Sequence, residues 1–117
     1  MKLRIARAAL LAAASATVLL FSTTAGAAFD EEAAKALAKK NDCFKCHALD
    51  KTKKGPSYKK IASKYKGKEA EGEAKMIKNM TTGPKVKLED GTEEEHKIID
   101  TKDDAAIKNL VYWILSL

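Results

Sequence analysis

The chain contains two cysteines and two histidines, and three of those four side chains sit together in Cys43-Phe44-Lys45-Cys46-His47. Residues of these types at this spacing offer three chemistries: a disulfide, a metal centre, or a covalent tether for a cofactor. A zinc centre needs four well-placed ligands, and His47, adjoining Cys46, is badly placed to share one tetrahedral ion with both sulfurs. No second C-x-x-C or H-x-x-x-H is present to complete such a site. A thioredoxin-like redox pair would open a helix after a strand, and no βαβ pattern precedes Cys43. A disulfide alone suits an exported protein but leaves His47 without a role.

C-x-x-C-H is the attachment signature of c-type haem. On a helical turn, residues three and four apart lie on one face. Cys43 and Cys46 can then reach two vinyl groups as thioethers while His47 turns its imidazole toward the iron. The motif predicts one covalent haem (heme c), tethered by Cys43 and Cys46, with His47 as the proximal iron ligand.

The start of the chain sets the expected compartment. Lys2, Arg4 and Arg7 precede an apolar run from Ala8 to Phe21, and small residues follow, ending in Ala25-Gly26-Ala27. This is the layout of a secretory signal peptide with an A-x-A cleavage site. Residues 1–27 are therefore expected to be removed on export to the periplasm, leaving 28–117 as one small domain with no membrane segment. The formal charge of the whole chain is +6. Three of the 22 basic residues and none of the 16 acidic ones lie in the leader, which leaves 19 against 16, or +3. So mild and mixed a balance gives no basis for nucleic-acid binding, while the lysines of Lys51–Lys54 and Lys59–Lys68 suit the steering of acidic redox partner proteins.

Four helices are expected to position the motif. Asp30 can cap the first, with Glu31 and Glu32 favoured by the helix dipole, and Asn41-Asp42 ends it just before Cys43. Tyr58, Ile61, Ala62 and Tyr65 mark a second by their i, i+3, i+4, i+7 spacing. Ala70, Ala74 and Ile77, with Met76 and Met80, mark a third, weakened at Gly72. Asp103 and Asp104 open the last, with Ile107, Leu110, Val111, Ile114 and Leu115 on one face. Between Thr81 and Thr101 there is no helical period, and the Asp90-Gly91 turn allows a short two-stranded ribbon with Lys85–Leu88 on one arm. The fold class is all-α with one long irregular loop.

The strings KALAKKNDCFKCHALD, KGPSYKKIASKY, KMIKNM and LVYWILSL, in this order, resemble the small monohaem class I cytochromes c of bacteria. The resemblance spans nearly all of 28–117. It implies about four helices around one haem, with the first and last crossing through Ala33, Ala34 and Leu37 against Leu110, Val111 and Ile114. It also implies that the backbone carbonyl of Pro56 accepts the proton on the imidazole nitrogen of His47 that faces away from the iron. Tyr58 and Ile61 would line the haem edge, equally readable as ordinary core.

The departure from the family lies on the other face of the iron. Its members carry an axial methionine in a proline-rich loop ahead of the last helix, and here no methionine follows Met80. His96 lies 17 residues before Trp113, close to the family's separation between axial methionine and tryptophan. His96 is therefore the expected distal ligand, with Met80 or Met76 as alternatives. A second imidazole favours ferric iron relative to methionine and lowers the potential.

These features point to a periplasmic one-electron carrier rather than an enzyme, since no acid/base pair or substrate pocket is evident and the carboxylates of Glu89–Glu95 read as a solvated face. Two other functions stay open: a haem-based small-ligand binder with a displaceable distal ligand, and a haem subunit of a larger oxidoreductase.

Overall fold

The computed structural model describes residues 28–117; the expected leader, 1–27, lies outside the described residues. Helix α1 (Glu31–Lys40) starts where Asp30 accepts the Ala33 amide at 3.0 Å, and acidic Glu31 and Glu32 in its first turn and basic Lys39 and Lys40 in its last both oppose the helix dipole. Ala34 and Ala38 are fully buried with Leu37 packed beside them, whereas Ala33, expected at the helix crossing, is exposed. The inward face is thus 34, 37, 38, an i, i+3, i+4 stripe.

Asp42 takes a left-handed turn at φ 58° and leads into a single 3-10 turn, Cys43–Lys45. Helix α2 (Tyr58–Lys64) is capped by Ser57, whose hydroxyl accepts the Lys60 amide at 3.1 Å. Helix α3 (Glu69–Thr82) runs unbroken through Gly72, where a Cβ would stand 2.7 Å from the Tyr65 ring. The glycine expected to weaken this helix is the space that admits Tyr65. Gly83 ends α3 at φ 58°, a backbone region that favours glycine.

The expected ribbon is present as β1 (Lys85–Lys87) and β2 (Glu93–Glu95), antiparallel, with Lys85 opposite Glu95 and Lys87 opposite Glu93. Opposite charges facing across the ladder favour this register. Helix α4 (Asp104–Leu115), capped by Asp103, is the centre of the fold and packs on α1, α2 and α3. Leu110, Val111 and Trp113 are essentially inaccessible, and with Ile107 and Ile114 they meet Ala34, Ala38, Tyr58, Met76, Met80 and Ile99 in one core. The α1–α4 crossing is pinned at its open end by a reciprocal pair: the Asp30 amide donates to Asn109 Oδ1 at 2.7 Å and Asn109 Nδ2 donates to the Asp30 carbonyl at 2.8 Å.

Candidate haem site

The helices enclose a cavity of about 830 Å³, inside the range of about 300–1,000 Å³ usual for small-molecule sites. Its walls bring together every residue singled out from the sequence: Cys43, Cys46, His47, Pro56, Met76, Met80 and His96. Leu110 and Ile114 of α4 and Ile61 and Ile99 supply apolar wall.

The motif is shaped by backbone bonds. The amides of Cys46 and His47 both donate to the Cys43 carbonyl, at 3.2 and 2.9 Å. The second of these is an α-type closure at the end of a 3-10 turn, and it turns residues 43, 46 and 47 toward one side. Both thiols are free and partly buried. Burial pushes the Cys43 thiol above its ordinary pKa, more than the Tyr58 hydroxyl and then the nearby Lys97 charge pull it down. Before any tether forms, this sulfur is a thiol beside an apolar chamber.

His47 is buried enough that desolvation lowers its pKa, against the opposing bond to Pro56, and the nearby His96 lowers it further. Its Nδ1 lies 2.7 Å from the Pro56 carbonyl. A carbonyl only accepts, so Nδ1 carries the proton and Nε2 keeps its lone pair. The bond expected from the family resemblance is thus present as geometry. Gly55 presses on the same ring, where an added Cβ would fall 2.7 Å from His47 Cε1. Tyr58 stacks on it at 5.3 Å between centroids and 16° between planes.

His96 follows β2 directly. Its amide donates to the Pro84 carbonyl at 2.9 Å, closing the ribbon. Its Nδ1 lies 2.9 Å from the Lys97 carbonyl, which assigns that nitrogen the proton and leaves Nε2 its lone pair, as in His47. The two imidazole centroids are 6.4 Å apart with planes inclined at 38°. Two imidazoles binding one ion from opposite faces through bonds of about 2 Å have centres about 6 Å apart. The residues present fit a haem iron between them.

Met76 and Met80 also border the chamber, but both are core residues of α3. Tyr58, which the resemblance places at the haem edge, also stacks on His47, a contact with no local signature. Two further contributors were not singled out from sequence. Gly55 reads as a loop residue. Asn41, 2 % exposed, donates to the Leu37 carbonyl at 3.0 Å and accepts the Asp100 amide at 2.7 Å, joining the end of α1 to the segment after His96 across 59 positions.

The cytochrome c family matches residues 31–117 of the chain. Among solved structures, the class 1 cytochrome MtoD from Sideroxydans lithotrophicus ES-1 is 61% identical, the alignment covers 76% of this chain and 97% of that one, and the TM-score is 0.70. No curated protein matches. The four helices, the tether motif and the chamber behind it agree with both likenesses, and the chain belongs to the cytochrome c family, as a small class I electron carrier with covalently bound c-type haem.

Proposed function

We propose that the protein is a periplasmic one-electron carrier whose haem is tethered through Cys43 and Cys46 and ligated by His47 on the proximal side and His96 on the distal side. In forming the tether, each S–H adds across one vinyl C=C, with no leaving group. When bound, the haem supplies reversible exchange of a single electron between ferric and ferrous iron. The chain's own residues do the rest. Pro56 and Lys97 hold the proton on Nδ1 of each histidine and so keep each Nε2 lone pair available. Leu110, Ile114, Ile61 and Ile99 give the chamber an apolar wall for the macrocycle.

The observation that carries this reading is the pair of imidazoles 6.4 Å apart, each with Nδ1 donating its proton to a backbone carbonyl and Nε2 left with its lone pair. Filling both axial positions favours outer-sphere transfer over binding of an exogenous ligand. A second imidazole in place of methionine sets a lower potential than in Met-ligated relatives. The leader-like residues 1–27 support export, and among the described residues no helix is long and apolar enough to cross a membrane. Lys45, Lys60, Lys87 and Lys97 border the chamber and suit the steering of partner proteins with acidic docking faces.

Replacing His96 tests the ligation. His96→Ala, with haem still attached, is expected to convert a low-spin ferric spectrum to high-spin, or to a different low-spin form if Met80 or Met76 moves in. An unchanged spectrum and potential would rule out His96 as the ligand.

A further inference from the structure

Gly55, Pro56 and Tyr58 all touch one ring, that of His47. We infer that Tyr58 is a positioning residue for the proximal imidazole: its ring face, with Gly55 against the ring edge and Pro56 at Nδ1, sets the rotation of His47 about the metal–nitrogen axis. This rests on His47 being the proximal ligand, as proposed above.

A single hydrogen bond to Nδ1 fixes the tautomer and the direction of the ring but leaves it free to rock about the line through the metal and the ring. A flat neighbour removes that freedom. Tyr58 lies nearly parallel to the imidazole, at 16° and 5.3 Å, an offset-stacked arrangement that rotation of either ring would break. Tyr58 is itself packed on several sides. It is 3 % exposed, and it meets Trp113 of α4 edge-on at 5.7 Å and Phe44 edge-on at 6.0 Å, each at 71°. The orientation of His47 is thereby referred through Tyr58 to the most deeply buried helix of the fold.

The other side of the clamp is equally tight. The Gly55 amide donates to the Cys46 carbonyl at 2.8 Å, and a side chain at 55 would fall 2.7 Å from Cε1 and 3.0 Å from Nδ1 of His47. The imidazole is therefore met by Gly55 at its Cε1–Nδ1 edge and by Tyr58 on a face. A purely space-filling role at 58 would be met by leucine, which has no flat face to offer.

The plane of an axial imidazole orients the half-filled orbital of low-spin ferric haem, so g-values and the order of the four haem-methyl resonances report ring rotation directly. The test compares Tyr58→Phe, Tyr58→Leu and Gly55→Ala in the haem-loaded protein by electron paramagnetic resonance and paramagnetic NMR, with histidine labelled by ¹⁵N. Tyr58→Phe keeps the ring and is expected to keep the methyl order and g-values. Tyr58→Leu is expected to reorder the methyl resonances and shift the g-values. Gly55→Ala, at a buried position, is expected to do the same by pushing on the ring edge, and Tyr58→Met replaces Tyr58→Leu if the leucine variant fails to accumulate. A methyl order unchanged in both Tyr58→Leu and Gly55→Ala, or changed equally by Tyr58→Phe, overturns the inference. The ligation it rests on is read separately: the wild-type protein must show a hyperfine-shifted ¹⁵N imidazole assigned to His47, whatever the variants do.

Discussion

On the proximal side, His47 is gripped by Gly55, Pro56 and Tyr58, a short stretch that leads into α2 and reaches the core through Trp113. On the distal side, His96 ends an exposed two-stranded ribbon whose strands hydrogen-bond to each other, and the tip reaches the proximal loop by the Glu89 amide to the Lys54 carbonyl at 3.3 Å and by ion pairs Lys54–Glu94 at 3.8 Å and Lys60–Glu89 at 3.6 Å. Exposed pairs of this kind contribute about 0–1 kcal/mol each. The firm points come after the histidine: the Ile99 amide donates to the Met80 carbonyl at 2.8 Å and the Asp100 amide to buried Asn41 at 2.7 Å. One imidazole is fixed by packing and the other by where its segment is anchored. Rearrangement of the site should therefore begin on the ribbon side.

The largest expected effect separates the two histidines outright. His47→Ala removes the proposed proximal ligand, and loss of haem-loaded protein in the exported fraction is expected. His96→Ala should still yield protein with haem attached, because tether and proximal ligand are intact. Comparable haem content in the two variants, measured per mole of polypeptide, would erase the proposed difference between the sides.

Gly83 is the next point of attack, because the ribbon depends on it twice. Its φ of 58° costs a residue with a side chain about 1–2 kcal/mol, and a Cβ there would also lie 2.9 Å from the His96 carbonyl and 2.9 Å from Ile98 Cγ1. Gly83→Ala is expected to lower the unfolding free energy by at least that backbone cost and to speed the binding of added imidazole to the ferric protein. A Tm loss with unchanged imidazole kinetics would show that the ribbon's placement does not control the distal site.

Asn41→Leu probes the anchor rather than the ribbon. It leaves the Asp100 amide without its partner, while the Leu37 carbonyl keeps the backbone amide of residue 41 at 3.1 Å, and a part-buried donor left unpaired costs about 1–3 kcal/mol. Denaturant unfolding should show a loss of that order, accompanied by a shift in the distal-ligand spectrum. The proximal methyl pattern discussed for Tyr58 should respond less than it does to Gly55→Ala.

Much of this division follows from which contacts are local. The cap at Asp30, the face of α4 and the ribbon around Asp90-Gly91 are set by neighbours in the chain, and the sequence pattern reads them. Alanines fill both sides of α1, so composition does not separate buried Ala34 and Ala38 from exposed Ala33, and the packing of α1 on α4 does. Gly72 reads as a helix weakness until Tyr65 is placed against it. The bond from Asn41 to Asp100 and the stack of Tyr58 on His47 join residues 59 and 11 positions apart, and no periodicity encodes such meetings. The placement of His96 against the chamber was legible only through its spacing from Trp113 in the resemblance, since its charged surroundings read as loop.

The smallest expected effect lies where the two sides touch. Asp42 pairs with Lys45 of the tether motif at 3.2 Å and with Lys97, next to His96, at 3.4 Å. The hydrogen bond from Lys45, then the Lys97 contact, holds the Asp42 carboxyl below its ordinary pKa. A carboxylate whose folded pKa is depressed adds stability that is fully present above its unfolded value of about 3.9 and is lost as pH falls through the lower folded value. Wild type and Asp42→Asn should therefore differ slightly in Tm near neutral pH, in favour of wild type, and converge in acid below about pH 4. Salt should shrink the gap as well, because all three groups are exposed. Asparagine and aspartate both tolerate the left-handed backbone at φ 58°, so the substitution isolates the charge, and a gap that persists unchanged in acid would show that the carboxylate's ion pairs are not its source.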